Sequence, residues 1–220
     1  NMKRAVDLRR RTTAELQRVN LNVDGTMRER VLDMVEDLER MPHAAGSASL
    51  VSNDARTLPE KLPKIDLAVT SPPYLNGTNY CRNTKLELLL LRHMESESEL
   101  ADLRAASVTA GINNVSRRMR PPEDLPEVRA VAAVLDERGY DRRIATMVRG
   151  YFSDMKLVLS ALHERMAPGG RLVLDIGDSR FAGVYVDTPT LLVQVAETVG
   201  WTLAREQVIR GRVAKDGNPL

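Results

Sequence analysis

Apolar residues along this chain recur with two different periods, and the way those periods alternate predicts an α/β protein. Short runs of strand character lie at Ala48–Ser52, Ile65–Val69, Arg171–Ile176 and Trp201–Ala204. Between and after them, apolar positions return at helical spacing. Tyr151, Phe152, Met155, Leu157, Val158, Leu159, Leu162 and Met166 mark a helix over Tyr151–Met166, and a second is expected over Thr190–Val199. Pro168-Gly169-Gly170 is the expected stop after the first of these helices and Gly200 the stop after the second. Gly177-Asp178-Ser179-Arg180 reads as a turn. Leu88–Leu91 is too short to span a membrane and reads as a buried helix turn. Residues 1 to about 41 read as two charged amphipathic helices with a break near Asn20–Gly25. The second places Val31, Met34, Val35 and Leu38 on one face.

This pattern divides the chain into residues 1–45, a helical connector, and residues 46–95 with 150–220, an α/β core. Residues 96–149 interrupt the core with helical, Arg-rich and Pro-containing sequence. At 220 residues there is room for one such domain and a sizeable core. No apolar run approaches membrane-spanning length and no leader segment precedes the first element, so a cytoplasmic protein without a membrane partner is expected. A single cysteine, Cys81, excludes a disulfide framework or a multi-cysteine zinc site. His43, His93 and His163 show no metal spacing. The formal net charge of +2 neither requires nor forbids nucleic acid, so the placement of cations matters more than their sum.

The chemistry concentrates at Thr70-Ser71-Pro72-Pro73-Tyr74, directly after the apolar run Ile65–Val69. The prolines fix φ near −65° and lack N–H groups, so the carbonyls of Ser71 and Pro72 stand at set angles as acceptors. The Ser71 hydroxyl lies beside them, and Tyr74 offers a ring to stack upon. Acceptors next to an aromatic face suit the exocyclic amine of a nucleobase, which carries two N–H donors.

Those residues resemble the signature of the S-adenosylmethionine-dependent amino-group DNA methyltransferases, [D/N/S]-P-P-[Y/F] at the end of the fourth strand of a Rossmann-like sheet. The Ser-Pro-Pro-Tyr form is similar to the branch that methylates cytosine at N4. The order that follows is similar to the second half of that sheet: helix, Pro-Gly-Gly, strand, Gly-Asp-Ser-Arg, helix, Gly-Trp, strand. The resemblance covers Leu50 to about Arg212. It implies a Rossmann-like methyltransferase fold, transfer to a flipped base in DNA, and catalysis by Ser71, Pro72, Pro73 and Tyr74. Adenine N6 or RNA as acceptor, and a non-catalytic or split subunit, are the rival readings. A restriction-modification setting is a further implication of the resemblance alone.

The same resemblance places Asp54 where an acidic residue beyond the third strand reaches the methyl donor, with Asn53 and Thr70 beside the cofactor. Asn53 and Asp54 are equally readable as a turn or cap. In the polar loop after the motif, Asn76 and Asn79 are candidates to read a base edge, and Arg82 and Lys85 to meet phosphates. Arg117, Arg118 and Arg120 are candidates for the DNA backbone. Each of these is equally readable as a solvated residue. One element of the family is missing: no segment supplies the Gly-rich turn after a first strand. Leu174–Ser179 is the nearest imitation, and it reads better as a fifth strand. The first two strands are therefore expected outside this chain, in a preceding segment or in a partner polypeptide.

Overall fold

The strand predicted at Ile65–Val69 forms one residue longer, as β1 (Ile65–Thr70), and pairs in parallel with β2 (Met166–Leu174). This computed structural model describes residues 22–41, 46–75, 78–115 and 125–209. Parallel strands need a long crossover, and this one carries most of the helices. They are α2 (Tyr80–Asn83), α3 (Lys85–Leu90), α4 (Leu100–Ala106), α5 (Pro126–Arg138) and α6 (Arg143–Arg165). After β2 come the antiparallel strands β3 (Ser179–Phe181) and β4 (Val184–Val186), then α7 (Thr188–Thr198). Ala182 and Gly183, with φ of 49° and 78°, make the two-residue connection between β3 and β4, as a primed hairpin turn requires.

Helix α6 forms the centre of the core. Ile144, Met147, Val148, Tyr151, Phe152, Met155 and Leu159 recur at helical spacing and are all buried. Val128, Ala132 and Leu135 of α5 and Leu191, Leu192 and Val195 of α7 join the same cluster, with Leu172, Leu174 and Ile176 packed against it. The helix begins at Arg143 rather than Tyr151 because Gly150, buried in its interior, does not interrupt it. It ends at Arg165. Pro168-Gly169-Gly170, expected as the helix stop, lies three residues past its end and inside β2: between the pairs Ile65–Met166 and Leu67–Arg171 the strand accommodates the extra residues as a bulge.

Several expected elements differ. Ala48–Ser52 is not a strand; Leu50 is 85% exposed and pairs with nothing among the described residues. Trp201–Ala204 is not a strand either, because its first residue is pinned elsewhere. The Trp201 indole donates to the Leu159 carbonyl at 3.0 Å and meets the His163 ring edge-on at 5.4 Å. Of Leu88–Leu91, only Leu88 and Leu89 are half-buried, since the six-residue helix α3 packs on one side. Residues 177–180 do not form a simple turn, because Ser179 already begins β3. The last helix starts two residues early, at Thr188, where the Asp187 carboxylate caps the Thr190 N–H at 3.2 Å.

The chain divides into two units, Asn1–Leu50 and Val51–Leu220. The described part of the first is chiefly α1 (Val23–Arg40), capped by the Asn22 side chain on the Gly25 N–H at 2.9 Å. Its face of Val31, Met34, Val35 and Leu38 is exposed. No helix among the described residues is long and apolar enough to cross a membrane.

Gly200 supports the α7–Trp201 corner by adopting φ of 100°, and a Cβ there would lie 2.9 Å from the His163 imidazole. Gly200→Ala is expected to cost about 1–3 kcal/mol, combining left-handed strain with displacement of His163. Urea unfolding followed by fluorescence of the chain's single tryptophan checks this; an unchanged midpoint would show that the corner is not held this way.

Candidate functional site

In the parallel pairing Thr70 stands opposite Leu174, so the chain leaves both strands at the same end of the sheet. The Asp175 N–H donates to the Thr70 carbonyl at 3.0 Å, which ties the two exits together. Ligands of open parallel sheets bind outside the carboxyl ends of the strands, where loops rather than ladders present side chains. The Ser-Pro-Pro-Tyr corner occupies that position. Buried Pro72 and wholly buried Leu75 anchor it in the core, and the buried Ser179 hydroxyl donates to the Leu75 carbonyl.

Ser71, Pro72, Pro73, Tyr74 and Tyr80 line an open cavity of about 360 Å³. Its hydroxyls form a directed chain. Ser71 Oγ donates to Tyr74 Oη at 3.3 Å, and Tyr74 Oη donates to Asp175 Oδ2 at 3.1 Å. The tip of the Tyr74 ring is thus fixed by a carboxylate, while its backbone N–H donates to Tyr80 Oη at 3.0 Å. With its hydrogen committed to Tyr74, Ser71 Oγ retains lone pairs to accept from something else. Asp175 and Tyr80 join this corner through hydrogen bonds that spacing along the chain does not reveal. Asp175 sits one place beyond a strand end, and only strand pairing carries it to a residue 101 positions away.

Beneath this corner, the Tyr151 hydroxyl is buried without a hydrogen-bond partner among the described residues. Burial pushes its phenol well above the ordinary range, and the Tyr80 and Tyr74 hydroxyls add to the shift.

The residues proposed by resemblance for the cofactor are not gathered into the cavity. Thr70 contributes its carbonyl to Asp175, as described. Asn53 is exposed, and Asp54 belongs to a separate ionic cluster. Arg56 Nη2 meets Asp54 Oδ2 at 2.8 Å, and Arg56 Nη1 meets Asp154 Oδ1 of α6 at 3.4 Å. Asp154 also accepts from the Thr109 N–H at 2.9 Å. The Arg56 side chain, then its backbone N–H, holds the Asp54 carboxyl below the usual carboxylate range, so it stays an ionised acceptor. Arg56, unremarkable in sequence, is the residue that orients Asp54.

Among the candidates for DNA, Asn79 caps α2, its side chain accepting from the Arg82 N–H at 3.1 Å. The Lys85 ammonium is hydrogen-bonded to the Glu97 carboxylate. Arg82 is exposed on the same short helix. Asn76, Arg117, Arg118 and Arg120, like His43, lie outside the described residues. Cys81 is half-buried, its thiol 3.8 Å from Ser107 Oγ. No cluster of metal-ligating side chains exists among the described residues.

Comparison with known proteins finds relatives of modest identity. The chain is 26% identical over 169 residues to the Type II methyltransferase M.BsoBI of Geobacillus stearothermophilus, a match covering 64% of this chain and 33% of that protein. It is 26% identical over 157 residues to the Type II methyltransferases M.AvaI of Nostoc sp. (strain PCC 7120) and of Anabaena variabilis, covering 66% of this chain and 32% of each. The chain thus spans about a third of the length of these curated relatives. No family profile and no solved structure matches it.

Proposed function

We propose that this chain carries the amine-binding half of an S-adenosylmethionine-dependent DNA methyltransferase that acts on the N4 amine of cytosine. The observation that carries the reading is the cavity at the ends of β1 and β2, where Ser71 keeps its acceptor lone pairs because its hydrogen is given to Tyr74. Similarity to Type II methyltransferases supports the same class of activity and a restriction-modification setting. The sheet, with two parallel strands among the described residues, is read as part of a Rossmann-like one.

A nucleobase amine is a poor nucleophile because its lone pair is delocalised into the ring. Two acceptors, Ser71 Oγ and the Pro72 carbonyl, draw its N–H bonds toward tetrahedral geometry and return the lone pair to nitrogen. Extruding the base from the duplex costs a few kcal/mol. Stacking on Tyr74 offsets part of that, at about 1–3 kcal/mol per base. The methyl donor supplies an electrophilic carbon on a sulfonium, so the protein's task is alignment rather than activation. Once methylated, the nitrogen must shed a proton. Ser71 Oγ accepts it and passes its own hydrogen to Tyr74 Oη, which passes its own to Asp175 Oδ2. No covalent cysteine intermediate is needed.

Asn53, Asp54 and Thr70 are the proposed cofactor residues. Asp54 fits a hydroxyl- or amine-bearing group in kind: its ionised carboxylate is oriented by Arg56 yet remains 39% exposed. Asn76, Asn79, Arg82, Lys85, Arg117, Arg118 and Arg120 are proposed for DNA, with residues 96–149 contributing target recognition. Lys85 would trade its Glu97 contact for a phosphate.

A split enzyme is the second reading. It is favoured by the sheet face of Leu67, Val69 and Val173, which is more than half exposed although parallel sheets ordinarily have both faces covered. A partner polypeptide or another segment would cover it and supply the Gly-rich cofactor turn. Micromolar binding of S-adenosylmethionine to this isolated chain in calorimetry would refute that version.

Nucleoside mass spectrometry of DNA from cells making the intact protein is expected to show N4-methylcytosine. N6-methyladenine would overturn the base assignment, methylated RNA alone would overturn the substrate, and no methylated amine at all would overturn the class.

A further inference from the structure

The cavity has three lining hydroxyls, and the hydrogens of two are already spent. Ser71 gives its hydrogen to Tyr74, and Tyr74 gives its own to Asp175. Pro72 and Pro73 have no N–H to give, and the Tyr74 backbone N–H is donated to Tyr80 Oη at 3.0 Å. Tyr80 therefore acts as an acceptor toward the protein, while its own O–H hydrogen has no partner among the described residues. It is 41% exposed at the cavity wall, at the first position of α2, whose capping by Asn79 fixes where the residue starts.

We propose that Tyr80 is a base-specificity residue, its hydroxyl donating to the ring nitrogen next to the target amine. This rests on the amino-methyltransferase reading above and deepens it. The wall then presents acceptors, Ser71 Oγ and the Pro72 carbonyl, beside one donor, Tyr80 Oη. That pattern complements an amine next to an unprotonated ring nitrogen, the edge of cytosine (N4 and N3) and of adenine (N6 and N1). It opposes thymine and guanine, whose ring N–H and carbonyl present the reverse order. Leaving Tyr80 Oη opposite a ring N–H places donor against donor, and an unmet polar group costs more than a hydrogen bond gains. The same hydroxyl also positions Tyr74 through its backbone, so loss of the group has two components that one substitution cannot separate.

The separating experiment uses the intact protein and duplex DNA carrying its mapped methylation site, with the target base either cytosine or 3-deazacytosine, in which N3 is a C–H. Should the methylated base prove to be adenine, 1-deazaadenine takes that role. Wild type is expected to lose about 10-fold in kcat/KM on the deaza substrate, of the order of one hydrogen bond. Tyr80→Phe is expected to lose about 10-fold or more on the natural base, with the positioning of Tyr74 included. It is expected to show no further loss on the deaza base, because the partner is already gone. Equal deaza penalties in the two enzymes would overturn the contact while leaving the methyltransferase reading in place. Wild type that methylates the deaza base undiminished would overturn it without reference to the variant, whatever the variant's folding. Failure of wild type to methylate any DNA would take down the reading itself, and this inference with it.

Discussion

Tyr74→Ala is expected to lower kcat/KM for DNA methylation by about 10²–10³-fold. Stacking on a flipped base is worth about 1–3 kcal/mol, or a factor of about 5–150. The remainder comes from the hydroxyl, which takes the Ser71 hydrogen and so keeps the Ser71 lone pairs available to the amine. Tyr74→Phe divides these contributions. It keeps the ring and removes the link to Ser71 and Asp175, and is expected to cost about 10-fold, mainly in kcat. Radiolabelled methyl incorporation under steady-state conditions gives both numbers. Near-normal turnover by the alanine variant would eliminate Tyr74 as the stacking surface. A phenylalanine variant as poor as alanine would shift the whole effect onto the hydroxyl.

The second large effect is at Asp175. Asp175→Asn replaces the anion at the end of the chain with an amide that can itself donate to Tyr74 Oη. Once Tyr74 accepts there, its hydrogen turns toward Ser71, the Ser71 hydrogen is driven toward the substrate amine, and a donor faces a donor. Hydrogen bonds to charged groups contribute about 1.5–3 kcal/mol, so a loss of about 10–150-fold in kcat is expected. KM for DNA should change little, since Asp175 touches the base only through Tyr74 and Ser71. A loss confined to KM would place Asp175 in DNA binding instead. Circular dichroism on the variant distinguishes either outcome from simple unfolding, because the Asp175 backbone N–H that ties β2 to Thr70 is untouched by the substitution.

Much of the chain's local order is legible residue by residue. The apolar run at Ile65–Val69 becomes β1, and the helical spacing after Tyr151 becomes the buried face of α6. The prolines of the motif hold it rigid by covalent geometry alone. Boundaries are less legible, for identifiable reasons. Gly150 is tolerated inside a helix because neighbouring turns bury it, and Pro168-Gly169-Gly170 is absorbed as a bulge because β1 pairs on either side of it. Strands at Ala48–Ser52 and Trp201–Ala204 fail to form because a strand exists only with a partner: the first finds none among the described residues, and the second is turned onto helices by the Trp201 contacts to Leu159, His163 and Ala196.

The sequence by itself determined the acceptor-rich corner at Ser71–Tyr74, the strand that leads into it and the helix packed behind it, since each depends on residues close together in the chain. Tertiary structure alone decided which groups complete that corner. Parallel pairing of β1 with β2 delivers Asp175 to Tyr74, and the start of α2 delivers Tyr80 to the Tyr74 backbone. The physical reason is that hydrogen-bond direction depends on which partner holds each proton, and the anion that sets it, Asp175, meets Tyr74 only when segments 101 residues apart fold against one another.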